Sequence, residues 1–359
     1  MIKESTTLYY REGSSDKVYQ ASIAEAKGGF VVNFAFGRRG STLSTGTKTT
    51  VPVLFDEAKT VFDKLVKSKL AKGYTPGPDG TPYAQTANES RDTGLRPQLC
   101  NPIEDEETLA ELLAGDEYWM EEKLDGKRIL LRKDGDGITG INRQGLIVAL
   151  PAPVVKAAAV YDENFILDGE CIGDTLHVFD VLELDEESLL TRPFRDRRNK
   201  LEQLLQIENP HLIIVETIRT TVAKSQSYIA LKRGRKEGVV FKHPDASYTP
   251  GRPASGGPWR KYKFTATGSF IVCRLNDGKR SVGLEVRDGR RGIEIGNVTI
   301  PVNTVVPKLG AIVEVRYLHA FKGGSLYQPV YLGVRDDLTP NDCTVRQLKF
   351  KAGDNDEES

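Results

Sequence analysis

The order of hydrophobic and polar positions predicts a small β-rich domain at the N-terminus of the chain. Short runs rich in apolar and aromatic residues, separated by turn residues, are typical of strands. Such runs fall at residues 8–10, 17–20 and 29–36 and in the threonine-rich stretch after residue 40. The period then becomes helical, with apolar side chains at Leu54, Ala58, Val61, Phe62, Leu65 and Val66. We therefore predict that residues 1–74 form one α+β domain, a sheet with a single amphipathic helix.

The next segment, residues 75–95, carries neither period. It is rich in proline, glycine, threonine and asparagine and poor in large apolar residues. This composition is typical of a linker, and we predict one here. A loop that faces a substrate is the alternative interpretation.

Strand-like and helix-like runs alternate through residues 96–265, which predicts a second α+β domain. Helices are predicted at 104–113, 151–160, 187–206 and 220–234. Strands are predicted at 117–123, 127–133, 138–142, 165–172 and 175–182, and the run from Glu237 to Lys242 is typical of a buried strand.

The C-terminal part of the chain, residues 266–350, is rich in strand-like runs with glycine-containing turns between them. A small all-β region of this kind predicts a five-stranded OB-fold barrel, the oligonucleotide- and oligosaccharide-binding fold. Residues 351–359 are polar and acidic, and we predict a disordered tail. The fold class is therefore multidomain α+β with a β-barrel at the C-terminal end.

Composition places the chain among globular proteins. Hydrophobic residues make up 39% and charged residues 28%, which excludes collagen-like and wholly disordered classes. No apolar run approaches the roughly 18 residues of a membrane span, and the first residues lack the apolar stretch of a signal peptide. We expect a cytoplasmic protein, cellular or viral. The 4 cysteines and 4 histidines are scattered, which argues against a disulfide framework or a structural zinc site.

Charge is segregated along the chain although 50 basic and 50 acidic residues give a net charge of zero. Residues 1–75 carry net +5, residues 101–190 net −15 and residues 191–263 net +10. Basic regions on both sides of an acidic one are compatible with a polyanionic partner. A salt-bridged surface without such a partner is the alternative.

The sharpest local signal is the run from Glu121 to Arg128, which contains the pattern KxDGxR. A lysine becomes a nucleophile when cationic neighbours and partial burial lower its pKa. Lys127 and Arg128 follow Lys123 closely, and the Asp-Gly turn would fold them back towards it. An arginine fork also suits a phosphate or ribose. A charged hairpin with no chemistry is the alternative.

Further candidate residues follow the predicted strands. Lys261 and Lys263 alternate along one strand and so share a face, where a phosphate would relieve their repulsion. A solvent-exposed edge strand with lysines is the alternative. Glu170 and Glu237 end apolar strands, where carboxylates can hold a divalent cation or a ribose hydroxyl. Phe179 is suited either to the core or to stacking on a base.

Taken in this order, the motifs of residues 96–350 resemble the covalent nucleotidyltransferase superfamily, which includes ATP-dependent polynucleotide ligases and mRNA capping enzymes. The resemblance implies that Lys123 attacks the α-phosphate of ATP and that Glu121 contacts the adenine amino group. It implies nucleotide contacts for Arg128, Arg143, Glu170, Phe179, Lys261, Lys263 and Arg335. It makes Glu170 and Glu237 the metal-associated acids. Lys261 and Lys263 would stabilise the α-phosphate, and Arg143 would also contact the end phosphate of the substrate.

The last motif of that superfamily, RxDK, is incomplete. Arg335 and Asp337 match it, but Leu338 stands where the lysine is expected. Handling of the departing pyrophosphate therefore differs in this chain, and Lys322 and Lys349 are candidate substitutes.

Residues 1–74 resemble a WGR domain at Phe36-Gly-Arg-Arg-Gly40, with phenylalanine in place of the signature tryptophan. Such domains bind DNA, including ends that carry a 5′-phosphate. The resemblance implies DNA contacts for Arg38 and Arg39, and the net charge of +5 agrees with it. A β-rich interaction module without a nucleic-acid role is the alternative.

Together these features predict an ATP-dependent DNA ligase that seals nicks between a 5′-phosphate and a 3′-hydroxyl. The expected cofactors are ATP and Mg²⁺, with Mn²⁺ as a substitute, and the expected partner is nicked double-stranded DNA. We expect a monomer with no membrane partner. Three alternatives stay open: an RNA ligase or RNA repair enzyme, a capping guanylyltransferase that takes GTP, and a non-catalytic protein that binds nicks or ends.

Overall fold

The computed structural model describes residues 2–49, 51–251 and 257–351. The chain divides into two compact units. The first unit contains the residues up to Arg96 together with Gly140–Ala149, and the second contains Pro97–Thr139 and the residues from Leu150 onwards. The acidic tail predicted at 351–359 lies outside the described residues except for Lys351.

The first unit contains a four-stranded antiparallel sheet and one helix, as the alternation and the helical period predict. Its elements are β1 (Ile2–Glu12), β2 (Ser15–Ala26), β3 (Gly29–Arg38), β4 (Ser44–Thr47) and α1 (Phe55–Leu70). Helix α1 buries Ala58 and Phe62 against the face of the sheet that carries Tyr19, Ile23 and Val32. The other apolar residues of this face pack around the core, and the single helix α1 covers it.

The predicted linker at residues 75–95 is packed onto this sheet. The backbones of Tyr9 and Thr75 exchange two hydrogen bonds of 2.8 Å, and Arg11 N donates to Gly80 O at 2.7 Å. Tyr83 is only 2% exposed. Glycine and proline create the turns of this segment, whereas Thr75 and Tyr83 attach it to the sheet. The composition of residues 75–95 correctly indicated turns, but it did not indicate whether the segment packs against the sheet or extends into solvent.

A hairpin from the middle of the chain completes the first unit. It consists of β8 (Gly137–Asn142) and β9 (Ile147–Val148), of which the residues from Gly140 belong to the unit. Thr93 N donates to Gly145 O at 3.0 Å. The guanidinium of Arg91 donates to Ile147 O at 2.8 Å. The sequence pattern had grouped this hairpin with the predicted domain 96–265.

The second unit begins with two small sheets, antiparallel except that β13 runs parallel to β11 and β5 parallel to β15. One has the order β12-β11-β10-β7, with β13 parallel to β11, and the other has the order β5-β15-β14-β6. Their strands are β5 (Asn101–Pro102), β6 (Trp119–Lys123), β7 (Lys127–Asp134), β10 (Phe165–Ile172), β11 (Thr175–Leu184), β12 (Glu187–Ser188), β13 (Leu212–Ile214), β14 (Gly238–Lys242) and β15 (Trp259–Lys263). The helices are α2 (Glu106–Ala114), α3 (Ala152–Ala158), α4 (Phe194–Leu204) and α5 (Thr221–Arg233).

Helix α4 is shorter than the pattern predicts. The expected helix 187–206 begins only at Phe194, and Pro193 is its N-cap. Before it, the chain turns at Asp185 and Glu186, both with positive φ, and forms the short strand β12. Proline locks its own φ and disfavours a helical residue before it, so a helix cannot run through position 193.

One face of the sheet with β6 and β14 is apolar and packs against α2 and α5. Its core contains Ile103, Leu109, Leu112, Met120, Ile218, Val239, Phe241 and Phe264. Because side chains alternate along a strand, Met120 lies in this core while Glu121 and Lys123 point to the opposite face. The packing thereby presents the polar side chains of β6 away from the helices.

The C-terminal strands form a five-stranded antiparallel sheet of order β18-β17-β16-β19-β22 and a two-stranded ribbon, β20-β21. They are β16 (Ala266–Leu275), β17 (Ser281–Asp288), β18 (Arg291–Thr299), β19 (Ile312–Tyr317), β20 (His319–Ala320), β21 (Leu326–Tyr327) and β22 (Val330–Val334). The sheet has five strands, the number predicted for the barrel. The predicted closed barrel is not observed, because over the described residues no ladder of hydrogen bonds joins the edge strands β18 and β22. None of the helices in the described ranges is long and apolar enough to cross a membrane.

Candidate active site

Antiparallel pairing of β6 and β14 places Lys123 beside the buried carboxylate that precedes β14. Lys123 pairs in register with Gly238, the residue after Glu237. Lys123 Nζ donates to Glu237 Oε2 at 2.6 Å. On the other side of the same carboxylate, Lys263 Nζ lies 2.8 Å from Glu237 Oε1. The Glu237 carboxylate therefore joins two of the predicted catalytic lysines.

Four cations influence the pKa of one buried thiol in this region, that of Cys100. Burial raises the pKa of Cys100, and the charges of Arg128, Lys242, Lys261 and Lys123 oppose that rise. The fold thus brings Lys261, from β15, and Arg128, from β7, into the neighbourhood of Lys123. A concentration of positive charge of this kind suits a phosphate chain.

Arg128 lies on β7 opposite Glu170 on β10, but its fork binds a different acid. Its Nε and Nη2 donate to Asp168 at 2.5 and 2.7 Å. Asp168 also accepts a hydrogen bond of 2.6 Å from the Tyr248 hydroxyl. Burial acts to lower the pKa of Arg128, yet the charge of Asp168 holds that pKa above its ordinary value. Arg128 is therefore fixed in place before any nucleotide binds.

Glu121 is 2% exposed and has three partners that sequence reasoning missed. Thr217 Oγ1 donates to it at 2.9 Å, Lys242 Nζ lies 2.5 Å away, and Arg198 lies 3.9 Å away. The available signal was Lys242 at the end of a buried strand, two residues after Val240, which pairs with Glu121 in register. Thr217 and Arg198 gave no such signal.

Phe179 lies between two cations. The Arg128 guanidinium and the Lys242 ammonium are each 4.4 Å from its ring centroid. Lys242 also lies 4.4 Å from the ring of Trp259. The register of β10 against β11 shifts beside Phe179, which is a β-bulge of the kind that redirects a side chain. Phe179 therefore belongs to the core and to the site at once.

Glu170 lies close to the Lys123–Glu237 pair. It accepts a hydrogen bond of 3.2 Å from Gly126 N, in the turn after Lys123. Burial raises the pKa of Glu170, and the charge of Glu237 adds to the rise while Arg128 and Lys123 oppose it. The two acids are thus near enough to interact. Among the described residues, no group of three or more His, Cys, Asp or Glu side chains forms a ready metal site.

The C-terminal sheet contributes to two cavities that reach the predicted lysines. One, of about 580 Å³, is lined by Lys123 and Glu237 and, from the C-terminal region, by His319 and Lys351. The other, of about 490 Å³, is lined by residues that include Lys261, Lys263, Arg316 and Gln328. Within it, Lys263 Nζ donates to Gln328 Oε1 at 2.9 Å.

Arg335 does not join these residues through any of its ion pairs. Its partners are Asp337, at 2.6 Å in the bend after β22, and Glu314, at 3.2 Å on β19. Leu338 packs against a cluster that contains Ile271, Ile312 and Cys343. This apolar environment explains why a leucine suits the position where the RxDK pattern has a lysine.

The remaining predicted contacts belong to the first unit. Arg143 is exposed in the turn between β8 and β9, and Arg38 is exposed at the end of β3. Arg39 differs from its neighbour because it is held in place. It pairs with Asp16 at 2.9 Å and donates to Pro78 O at 2.6 Å. Its guanidinium also lies 4.8 Å from the ring of Tyr9.

Comparisons with known proteins point to one enzyme class. Residues 174–263 match the family model described as the ATP dependent DNA ligase domain. The chain is 28% identical over 333 residues to a DNA ligase of Methanopyrus kandleri, covering 71% of this chain and 58% of that protein. It is 28% identical over 287 residues to the multifunctional non-homologous end joining protein LigD of Mycolicibacterium smegmatis, covering 63% and 37%. The chain thus spans about half the length of these relatives.

A solved structure from a study of Lig E DNA ligases covers 67% of this chain and 99% of its own, with a TM-score of 0.50 and 20% identity. This likeness supports the fold. Residues 174–263, which match that family model, lie in the second unit.

Proposed function

We propose that the protein is an ATP-dependent DNA ligase that seals 5′-phosphate/3′-hydroxyl nicks through a lysyl-AMP intermediate. The observation that carries the proposal is the position of Lys123. Its amine lies 2.6 Å from the buried carboxylate of Glu237, which the ammonium of Lys263 also approaches to 2.8 Å. A nucleophile with an adjacent proton acceptor and a second cation nearby suits attack on a phosphate.

In the first step, Lys123 Nζ forms a bond to the α-phosphorus of ATP and the bond to pyrophosphate breaks. Glu237 Oε2, the acceptor that already faces Nζ, takes the proton whose loss frees the Nζ lone pair, and the second Nζ proton leaves with the pyrophosphate after the P–N bond has formed. Lys261 and Lys263 neutralise charge on the α-phosphate in the transition state. The adenylyl group then moves to the 5′-phosphate of the nick, which breaks the bond to Lys123. Finally the 3′-hydroxyl attacks that phosphate and AMP leaves.

The nucleotide would lie between the two small sheets of the second unit. Glu121 would accept a hydrogen bond from the adenine amino group, and Phe179 would contact the base. Glu170 and Arg128 would meet the ribose and the phosphates. Because Lys242 already pairs with Glu121 and covers Phe179, its side chain must shift to admit a base. Arg143 and Arg335 are further proposed contacts of the nucleotide.

Mg²⁺ fits the acids that are present. This ion is commonly bound by one or two carboxylates together with substrate phosphates, without a complete protein cage. Glu170 and Glu237, near enough for one to raise the pKa of the other, supply such a pair. When bound, the ion would neutralise phosphate charge, and Mn²⁺ would substitute for it.

The first unit would act as a WGR-like DNA-binding domain, with the C-terminal sheet as an OB-type domain. We propose residues 1–74 as the WGR-like domain, residues 96–265 as the adenylation domain and residues 266–350 as the OB-type domain. Arg38, Arg39 and Arg143 are its proposed DNA contacts. Arg38 and Arg143 are exposed, which supports the role, whereas Arg39 is occupied by Asp16 and Pro78. We place the protein in the cytoplasm as a monomer.

The test is nick sealing by the wild-type protein and the Lys123→Ala variant with ATP and Mg²⁺. We expect wild type to seal a 5′-phosphorylated nicked duplex and to gain the mass of one adenylate, and the variant to do neither. Glu237 keeps its partner Lys263 in the variant, so its fold should persist. Lys127→Ala, an exposed lysine at the start of β7, is the matched control.

Three results would contradict the proposal. An adduct on Lys123→Ala would place the nucleophile elsewhere. Sealing of RNA nicks with no sealing of DNA nicks would identify an RNA ligase. DNA binding without any adduct in the wild type would leave a non-catalytic nick-binding protein.

A further inference from the structure

A cationic patch lies beside the proposed active site and has no role in the chemistry above. We define it as Lys232, Arg233, Arg235, Lys236, Lys349 and Lys351. The first four fall within five consecutive residues at the turn from α5 into β14, and all four are exposed. The two lysines come from the C-terminal segment of the second unit.

Backbone hydrogen bonds hold the C-terminal lysines on one side of their segment. Ala320 N donates to Lys349 O at 2.8 Å, and Lys351 N donates to Ala320 O at 3.0 Å. Because residues i and i+2 of an extended segment point to the same side, Lys349 and Lys351 share a face. Burial lowers the pKa of Lys349, and the charges of Arg235 and Lys232 lower it further. Arg235, Lys236 and Lys351 line one cavity, so the two parts of the patch are neighbours.

Carboxylates neutralise only part of this charge. Glu122 lies 3.1 Å from Lys236, and Asp125 lies 3.9 Å from Lys351. Arg233 and Arg235 have no ion-pair partner within the described ranges 2–49, 51–251 and 257–351. Lys232 and Arg233 complement the dipole at the C-terminal end of α5, which is a common role for such residues. Arg235 lies beyond the helix and has no such explanation.

The backbone of Arg235 is strained. Its φ is 54°, in the left-handed region that favours glycine. It occupies the position after a helix end where glycine is the usual residue, and the neighbouring Gly234 has an ordinary negative φ. Strain of this kind persists where the side chain has a use. The Arg235 side chain lines the 580 Å³ cavity that also contains Lys123 and Lys351.

We propose that the cationic patch binds the sugar-phosphate backbone of the DNA strand that leads to Lys123. The proposal rests on the ligase function and names one surface that its substrate contacts. A line of cations on two elements that ends at the nucleophile suits a polyanion with regularly spaced phosphates. The triphosphate of ATP would need only the part of the patch nearest Lys123.

The test measures the affinity for a dye-labelled nicked duplex at several KCl concentrations without nucleotide. For Arg235→Gly we expect the slope of log affinity against log salt to fall by about one. The dissociation constant at 0.1 M salt should rise about eightfold, because each phosphate contact contributes about 0.9 to the slope. Arg233→Gln combined with Arg235→Gly should lower the slope by about two. The melting temperature of Arg235→Gly should equal or exceed that of the wild type, because glycine relieves the strain.

Two controls separate charge from backbone. Gln85→Gly relieves the same kind of strain at φ 58° outside the patch without changing the charge, and it should leave DNA binding unchanged. Lys308→Gln removes an exposed cation from the loop before β19, and it too should leave the slope unchanged. An equal loss of slope in Lys308→Gln would show diffuse binding over the surface and overturn the proposal.

Lysyl-AMP formation on the same variants separates this proposal from the ligase function. Arg235→Gly should form the adduct at the wild-type rate. A slower adduct with unchanged DNA affinity would assign the patch to the ATP phosphates, and unchanged affinity and slope would leave it without a ligand; either result overturns the proposal. Failure of the wild type to form any adduct would instead reject the ligase function, while the DNA-binding measurement would still stand.

Discussion

At the scale of single residues, the central feature is a carboxylate that bonds two lysines. Glu237 is buried, and each of its oxygens faces an ammonium, from Lys123 and from Lys263. A buried charge of this kind is tolerable only because both oxygens are paired. The same contact that stabilises Glu237 in the fold aims the Lys123 amine and supplies an acceptor for its proton.

This contact predicts the effect of Glu237→Gln. An amide cannot accept the proton from Lys123, and loss of a positioned proton acceptor commonly costs about 100-fold or more in rate. We expect lysyl-AMP formation to slow by about that factor, measured by intact mass over time. Glu122→Gln is the matched control, because Glu122 precedes Lys123 directly and pairs instead with Lys236. A wild-type rate in Glu237→Gln would exclude Glu237 from the proton transfer.

At the scale of elements, a buried lysine joins two helices beneath the site. Lys224, on α5, is fully buried. Its Nζ donates to Leu112 O at 2.8 Å and Tyr118 O at 3.1 Å, and also to Gly115 O. These carbonyls belong to the end of α2 and to the loop that leads into β6. Lys224 therefore satisfies the end of one helix and holds the strand that carries Lys123.

Removal of this ammonium should weaken the whole second unit. Lys224→Met keeps the length of the side chain but leaves several buried carbonyls without a donor, at about 1–3 kcal/mol for each group. We expect the free energy of unfolding, from urea titration, to fall by about 2–4 kcal/mol. Lys156→Met, on the exposed side of α3, should change it little. Equal stability of the two variants would show that water replaces the lysine at no cost.

At the scale of the whole molecule, the two units divide the proposed work. Lys123, Glu121, Glu170, Phe179, Glu237, Lys261 and Lys263 all belong to the second unit. The proposed DNA contacts Arg38, Arg39 and Arg143 belong to the first. The proposed chemistry on ATP thus lies mainly in the second unit and part of the proposed attachment to DNA lies in the first, so substitutions should separate the two.

Arg38→Gln tests this division. Arg38 is exposed and makes no contact that the fold needs, so the variant should keep the wild-type melting temperature and rate of lysyl-AMP formation. Its dissociation constant for nicked DNA should rise about eightfold at 0.1 M salt, the effect of one lost phosphate contact. Lys3→Gln, which removes a cation from edge strand β1, is the control. Unchanged DNA affinity in Arg38→Gln would argue against the proposed DNA contact of Arg38.

Local patterns in the sequence determined much of the fold. The sequence pattern correctly predicted α1, α2, α3 and α5; α1 and α2 bury an apolar stripe, whereas the buried residue of α5 is Lys224. Alternation correctly predicted β7, β10 and β11 and the five C-terminal strands. The helical pattern was wrong at residue 187, because Pro193 delays the start of the helix. At residues 75–95, turn-forming composition concealed the buried Tyr83.

For the candidate site, too, the sequence determined some features and the tertiary structure determined others. The residue types and their order already singled out Lys123, Glu237 and Lys263, because a reactive lysine needs charged neighbours wherever they come from. Only the tertiary structure decided which charges meet. Register between β6 and β14 pairs Lys123 with Glu237, whereas Arg128 turns to Asp168 and Glu121 to Lys242. The chain order of a sequence records neighbours along the backbone, whereas these pairings join residues far apart in the chain, 40 positions for Arg128 and Asp168 and 114 for Lys123 and Glu237.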